Sequence, residues 1–406
     1  MAVPELIKVR QRFDNTRIGD VEAAVRSELQ RLGLKLERGA RIAITAGSRG
    51  IDKIPLVLRT VASFLKESGA EPFFVPAMGS HGGATAEGQL KVLAGLGILP
   101  EYLGAPVKAS MDTVVIGSLD AGFVAGTSNT GSMPVHIDRL AYEADGILVV
   151  NRVKPHTSFH AEVESGLQKM MAIGLGKAVQ AGNIHNYGTK GLKGLISPVA
   201  QRMLSTGKII AGLGIVENAY DKLLCVRGLR PGHLVEGEKE LLTLARQNMP
   251  RLPVDRLDLL IVEQMGKNFS GTGMDTNIIG RLKIEGEPEP EIPVIKRIAV
   301  LDLSDAAGGN AYGIGLADFT TKKLVDRIDY KPTYANMLAT NFIERVKIPF
   351  IAEDEDAAVK TALKTCALNS GETARIIRIK NTLELENILV SGSVLEEIRD
   401  RVDLIV

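Results

Sequence analysis

An α/β protein of two domains, each with a largely parallel sheet covered by helices, is the fold class the sequence predicts. Three observations carry it. The chain has 406 residues, more than one ordinary hydrophobic core fills. Short apolar runs alternate with amphipathic stretches along its length. Glycine-bearing loops mark the change from one to the other, as in repeated strand–loop–helix units.

Taken in order, "ARIAITAG" (40–47) reads as a strand and "IPLVLRTVASFLKESGA" (54–70) as a helix with a glycine near its end. "EPFFVPAM" (71–78) reads as a strand, and "TAEGQLKVLAGLGI" (85–98) as a helix. "ADGILVVNRV" (144–153) and "KIIAGLGIVEN" (208–218) are apolar enough to be buried strands. Near "NMPRLPVDRLD" (248–258) polar residues around Pro250 separate a helix from the strand "LDLLIVEQ" (257–264), which predicts a boundary there. The rhythm then resumes with "IKRIAVLDL" (295–303), a helix-like "GLADFTTKKLVDRI" (315–328), "AEDEDAAVKTALKTC" (352–366) and "ARIIRIKN" (374–381). "EGEPEPEIPVIK" (285–296) reads as an exposed loop. The expected domains are 1–254 and 255–389, with residues 390–406 as candidates to return to the first.

Composition excludes several function classes. A net charge of +1 leaves no footprint for a polyanion, and aromatic residues are only 4% of the chain, too few for a base-stacking platform. The N-terminus "MAVPELIKVRQRFD" has no apolar signal core, and no apolar run reaches membrane-spanning length. Cys225 and Cys366 lie far apart and suggest neither a ligand pair nor a disulfide framework. A soluble cytoplasmic protein that binds neither nucleic acid nor membrane is expected.

In parallel sheets, ligands gather at the loops after the strands' carboxyl ends. Three such loops carry chemistry. In "AGSRGI", Gly47 and Ser48 expose backbone N–H groups and a hydroxyl beside the guanidinium of Arg49, a set suited to a phosphate, though a tight turn with a surface arginine looks the same. "GSHGGAT" lodges His81 among glycines, where it could serve as acid or base or merely cap the next helix. "NRVKPHTSFHAEVESGLQK" offers His156 and His160 with Glu162 and Glu164 nearby. Were that stretch helical, both imidazoles could share a face and bind Zn²⁺ with a carboxylate, as in a hydrolase. Lys169 follows in the apolar "LQKMMAIGLG", where burial would lower its pKa and make it a nucleophilic amine; otherwise it snorkels. His185 in "GNIHNYG" occupies a polar loop. After the boundary, "VEQMGKNFSGTGMDTNIIGR" carries Gln264 and Lys267 and reads as a cleft wall or a hinge. His136 and His233 are expected to cap helices.

Together these residues resemble the nickel-dependent lactate racemase family of nickel-pincer nucleotide racemases and epimerases. The pattern is spread over roughly residues 40 to 281: Arg49 in the loop after an early strand, His81 in a G-x-H loop, Pro155-His156, Lys169 in "SGLQK", His185 sixteen residues on, then Gln264 and Lys267 as Q-x-x-K. The resemblance implies a pyridinium-3,5-bisthiocarboxylic acid mononucleotide as cofactor, joined to Lys169, with His185 as the protein's nickel ligand. It implies that Arg49, with Gly47 and Ser48, holds the phosphate, and that His81 and His156 are the two acid/base residues. Gln264 and Lys267 would close over the cofactor or the substrate carboxylate from the domain junction, placing the active site in the interdomain cleft. The implied reaction is racemisation or epimerisation of a small 2-hydroxy acid by reversible hydride transfer, with the cofactor's biosynthetic enzymes as partners. The sequence departs from the pattern at Ala46, where the family favours Asp, and at Gly82, where it tends to have Arg. The departures suggest a subgroup other than lactate racemase itself. Two rival readings are the zinc hydrolase through His156 and His160, and a non-catalytic nucleotide- or small-acid-binding protein.

Overall fold

The computed structural model describes residues 3–122, 124, 131–369 and 373–405. The chain divides into two compact units: residues 14–249, and residues 1–13 together with 250–406. Both are mixed α/β with parallel-dominated sheets covered by helices.

The first of these units is built on a five-stranded sheet in the order Glu71–Pro76, Arg41–Ala46, Gly146–Arg152, Ile209–Glu217, Leu223–Leu229. The first four strands run parallel and the last is antiparallel. Its central strands are buried on both faces, which is why they read as continuous apolar runs rather than alternating ones. One face is covered by Val21–Leu32 and Ile54–Glu67, whose Val25, Leu29, Val57, Val61 and Leu65 enter the core at helical spacing. The other face packs on the run 167–204 and on Leu234–Asn248. A separate antiparallel pair, Thr113–Asp120 with Ser132–Asp138, completes this unit.

The second unit holds an eight-stranded sheet in the order Phe350–Ala352, Phe319–Thr321, Val294–Leu303, Arg256–Met265, Ile376–Ile379, Asn387–Val390, Ile7–Gln11, Val402–Leu404. The first five are parallel and the last three join antiparallel.

Two expectations are corrected here. The closing residues do not return to the first domain: Val402–Leu404 pairs with Ile7–Gln11 inside the second unit, so the strand that crosses over is the N-terminal one. Its alternating burial, with Val9 and Gln11 inward, suits an antiparallel seam. The stretch 315–328 is not one helix. Gly315 and Leu316 end a 3₁₀ turn, Phe319–Thr321 is a strand, and only Lys322–Val325 is α-helical. Thr321 accepts from the backbone N–H of Leu324, so it caps that helix rather than lying within it.

Candidate active site

Three loops leave adjacent parallel strands at one edge of the five-stranded sheet. The Arg49 loop follows the middle strand, and the loops of His81 and His156 follow its two neighbours. This is the edge at which parallel sheets gather ligands.

The first loop joins the second through a 2.5 Å hydrogen bond between Ser48 Oγ and His81 Nδ1. If His81 donates from Nδ1, its Nε2 keeps the lone pair a general base needs. Gly79, Gly82 and Gly83 all have positive φ, which lets the loop turn sharply before the helix Ala86–Gly95. At Gly82 a Cβ would also lie 2.5 Å from the backbone of Gly88. A side chain has no room there, which gives a physical reason for glycine at this departure from the family pattern.

The third loop is organised by Glu164, whose carboxylate is fully enclosed. It accepts from the backbone N–H of His156 at 2.5 Å, from Arg246 at 2.5 Å and from Ala161 N–H at 3.4 Å, and it pairs with His160 Nδ1 at 3.4 Å. Burial raises its pKa, but these donors outweigh the burial and hold it below the usual carboxylate range. The backbone N–H of Ser158 donates to His156 Nδ1, so a neutral His156 carries its proton on Nε2. Phe159 packs against that ring at 4.5 Å between centroids.

Residues 154–165 are not helical, so His156 and His160 do not share a helix face as the zinc reading requires. His160 is exposed and held to Glu164. Among the described residues, no three His, Cys, Asp or Glu side chains converge as metal ligands.

Lys169 closes the short helix Leu167–Lys169 and precedes a π-helical turn, Met170–Leu175. Such turns recur at functional sites because they reset the register of side chains. Two side chains fix this start. Asn151 Nδ2, at the end of its strand, donates to Gly166 O at 2.8 Å. The buried Glu238 accepts from Gln168 N–H at 3.0 Å and from Gln168 Nε2 at 3.1 Å. Gly166 admits that carboxylate because a Cβ would lie 1.8 Å from it.

The electrostatics bind these pieces into one cluster. Burial pushes the Lys169 ammonium down to about 7; the charge of Arg49 lowers it further, and Glu164 partly opposes this. His185 ends the helix Lys177–His185, and its pKa is lowered by burial and by the charge of Lys169. Arg49 is itself lowered, by burial and then by the like charge of Arg152. Arg152 pairs with Glu217. Ser48, Arg49, His81, His156, Lys169 and His185 are thus linked by contact or charge within one unit. Two neighbouring guanidiniums, an amine partly uncharged at neutral pH and an imidazole with a lowered pKa can receive an anion, attack an electrophile and ligate a soft metal.

Gln264 and Lys267 belong to the other unit. Gln264 lines a cavity of about 420 Å³ at the carboxyl ends of that sheet's strands, together with Asp302, Lys323 and Arg378. Lys267 donates to Asn336 Oδ1 and lies 5.5 Å from the Tyr312 ring centroid. His136 is not a helix cap: it sits in the strand Ser132–Asp138 with Nδ1 3.0 Å from Thr113 Oγ1. His233 precedes Leu234–Asn248 but makes no side-chain cap bond. The anchoring roles of Asn151 and Glu238 had no motif to announce them, although Asn151 is the first polar residue after the run "GILVV".

The fold is one already seen in solved structures. The lactate racemase apoprotein from Thermoanaerobacterium thermosaccharolyticum superposes with a TM-score of 0.54 at 15% identity, over 94% of this chain and 99% of that one. A Thermotoga maritima protein from a structural-genomics consortium superposes with a TM-score of 0.56 at 15% identity, over 88% of this chain and 96% of that one. The chain therefore has a lactate-racemase-like fold. No protein-family model matches it, and no curated protein does. No described helix is long and apolar enough to cross a membrane.

Proposed function

We propose that this chain is a racemase or epimerase of a small 2-hydroxy acid, working with a nickel-pincer nucleotide joined to Lys169. The observation that carries the reading is the amine of Lys169, held near pKa 7 beside Arg49 and His185. An amine with a pKa near 7 is about half uncharged at neutral pH and available for a covalent link to a thiocarboxyl group, whereas an ordinary lysine would be almost wholly protonated. The residues present fit the group: Arg49 with Gly47 and Ser48 would take the phosphate, Lys169 the covalent link, and His185 the nickel. The lactate-racemase-like fold adds support, as does the order of these residues along the chain.

When bound, the cofactor supplies a reversible hydride acceptor. The chain's own residues handle the proton and the geometry. His81, oriented by Ser48, and His156, held as its Nε2–H tautomer by Ser158, are the acid/base pair that takes up and returns the hydroxyl proton. Two groups suit inversion because the planar intermediate acid must be served from both faces. The enzymes that build the cofactor are the partners this reading requires.

The test is intact-protein mass spectrometry with metal analysis, on chain co-produced with the cofactor's biosynthetic enzymes. The expected result is a mass increment lost in Lys169→Ala, nickel near one per chain, and inversion of a chiral 2-hydroxy acid followed by chiral chromatography. No adduct and no nickel, where a known nickel-pincer racemase does load, overturns it. Small-acid binding that survives Lys169→Ala without turnover would instead favour a binding protein.

A further inference from the structure

Lys177 combines two unfavourable features in one residue. Its backbone lies at φ +56°, a left-handed conformation that any residue with a Cβ resists. Its ammonium is also fully buried, 2.7 Å from the equally buried carboxylate of Asp138. Such costs persist only where surrounding contacts over-determine them, and they cluster at functional sites. Lys177 opens the helix that ends in His185 and is separated by Gly176 alone from the π-helical turn after Lys169.

Its other two contacts lead to the His81 loop. Lys177 Nζ donates to Pro76 O at 2.7 Å, the last residue of the strand from which that loop departs. It also reaches Gln89 Oε1 at 3.5 Å. The amide nitrogen of Gln89, fully buried in the helix Ala86–Gly95, donates to Gly79 O at 2.9 Å and to His81 O at 3.4 Å. The loop's opposite side rests on the π-helical turn: Gly79 N–H donates to Gly174 O at 3.4 Å, and a Cβ at Gly174 would lie 2.7 Å from Ala77 O.

We propose that Lys177 and Gln89 are positioning residues: a buried relay that fixes the His81 backbone in register with the run carrying Lys169 and His185. The proposal rests on the reading above in taking His81 and Lys169 as parts of one site. Neither Lys177 nor Gln89 is assigned a contact with a reacting group. A buried polar network of this kind specifies one arrangement only when each member is satisfied, so removing one donor should release the loop without dissolving the core.

The experiment is histidine-selective NMR on the chain as expressed without cofactor, with the His81 line assigned through His81→Gln. Gln89→Leu removes the whole amide. Gln89→Glu keeps an acceptor for Lys177 but has no N–H for the two carbonyls. In both variants the His81 line is expected to broaden by exchange or to split, while the lines of His136 and His233 keep their width. If the leucine variant does not fold, the glutamate variant carries the test. A folded variant with a lowered melting temperature and an unaltered His81 line means the relay is merely structural, which overturns the proposal. These spectra need no nickel, so a failure to load the cofactor bears on the proposed function alone. In loaded enzyme, Gln89→Glu is expected to lower kcat with KM little changed.

Discussion

The loops of His81 and His156 leave the two strands that flank the Arg49 strand, yet they are held by opposite means. The His81 loop is a glycine turn whose carbonyls are gripped from below by a neutral amide, and its imidazole is exposed. The His156 loop wraps an enclosed carboxylate, and its imidazole is half-buried against Phe159. The first is fixed by backbone shape and the second by charge-assisted bonds. Under the proposed function the two histidines serve opposite faces of a substrate and need not be equally rigid, and the loop that depends on left-handed glycines is the easier one to displace.

The sharpest way to break this contrast is Glu164→Leu. It strips the acceptor from the His156 N–H and from Arg246, and should cost about 3 kcal/mol of unfolding free energy in urea titration. An unchanged midpoint would mean the carboxylate does not organise the loop. On the other loop, Gly82→Ala meets both a left-handed φ and the Gly88 backbone, and should cost about 2 kcal/mol or more. Gly83→Ala at the same φ has nothing within 4 Å, so only the conformational cost remains, about 1 kcal/mol. Equal losses at the two glycines would deny the close packing of the turn on its helix.

Between the loops, the Lys169 strip gives a pH signature. The folded pKa of Lys169, about 7, lies below its unfolded value, so its neutral form favours folding at high pH and stability falls as pH drops toward 7. Glu238 is raised to about 7 by burial, so its contribution is complete in acid and fades as pH rises through 7. Together they predict a stability minimum near neutrality in pH-resolved urea denaturation. Lys169→Met should flatten the alkaline arm and Glu238→Gln the acid arm. The smallest effect belongs to His160→Ala, an exposed side chain with one 3.4 Å contact: less than about 0.5 kcal/mol in the same titration and, under the proposed function, no change in the nickel content of chain co-produced with the biosynthetic enzymes. Loss of metal in that variant would revive zinc chemistry at His156 and His160.

Much of this site could be read from the sequence because strand-end loops advertise themselves. A buried run such as "GILVV" followed by Asn151 and Arg152 is a strand reaching the sheet edge, and histidine or arginine just beyond it is conspicuous. The supports could not be read that way. Lys177 looks like any helix-start lysine until Asp138, thirty-nine positions earlier in the chain, is folded against it. Glu164 and Glu238 look like surface carboxylates, because burial of a charge is a tertiary fact with no local pattern. The failed helix at 315–328 has a local cause: its apolar residues suit either period, and the β-branched pair Thr320–Thr321 decided for a strand.

The seam between Ile7–Gln11 and the strands at Asn387–Val390 and Val402–Leu404 carries a consequence for how the molecule is made. Ile7–Gln11 leaves a ribosome long before Asn387–Val390 and Val402–Leu404, so it finds these partners only after residues 14–249 have been made. At roughly 5–20 residues per second it waits on the order of half a minute. Meanwhile residues 14–249 have every strand of their own sheet in hand and can condense first. A chain halted near residue 380 would keep residues 14–249, Lys169 among them, and leave Ile7–Gln11 without either neighbour.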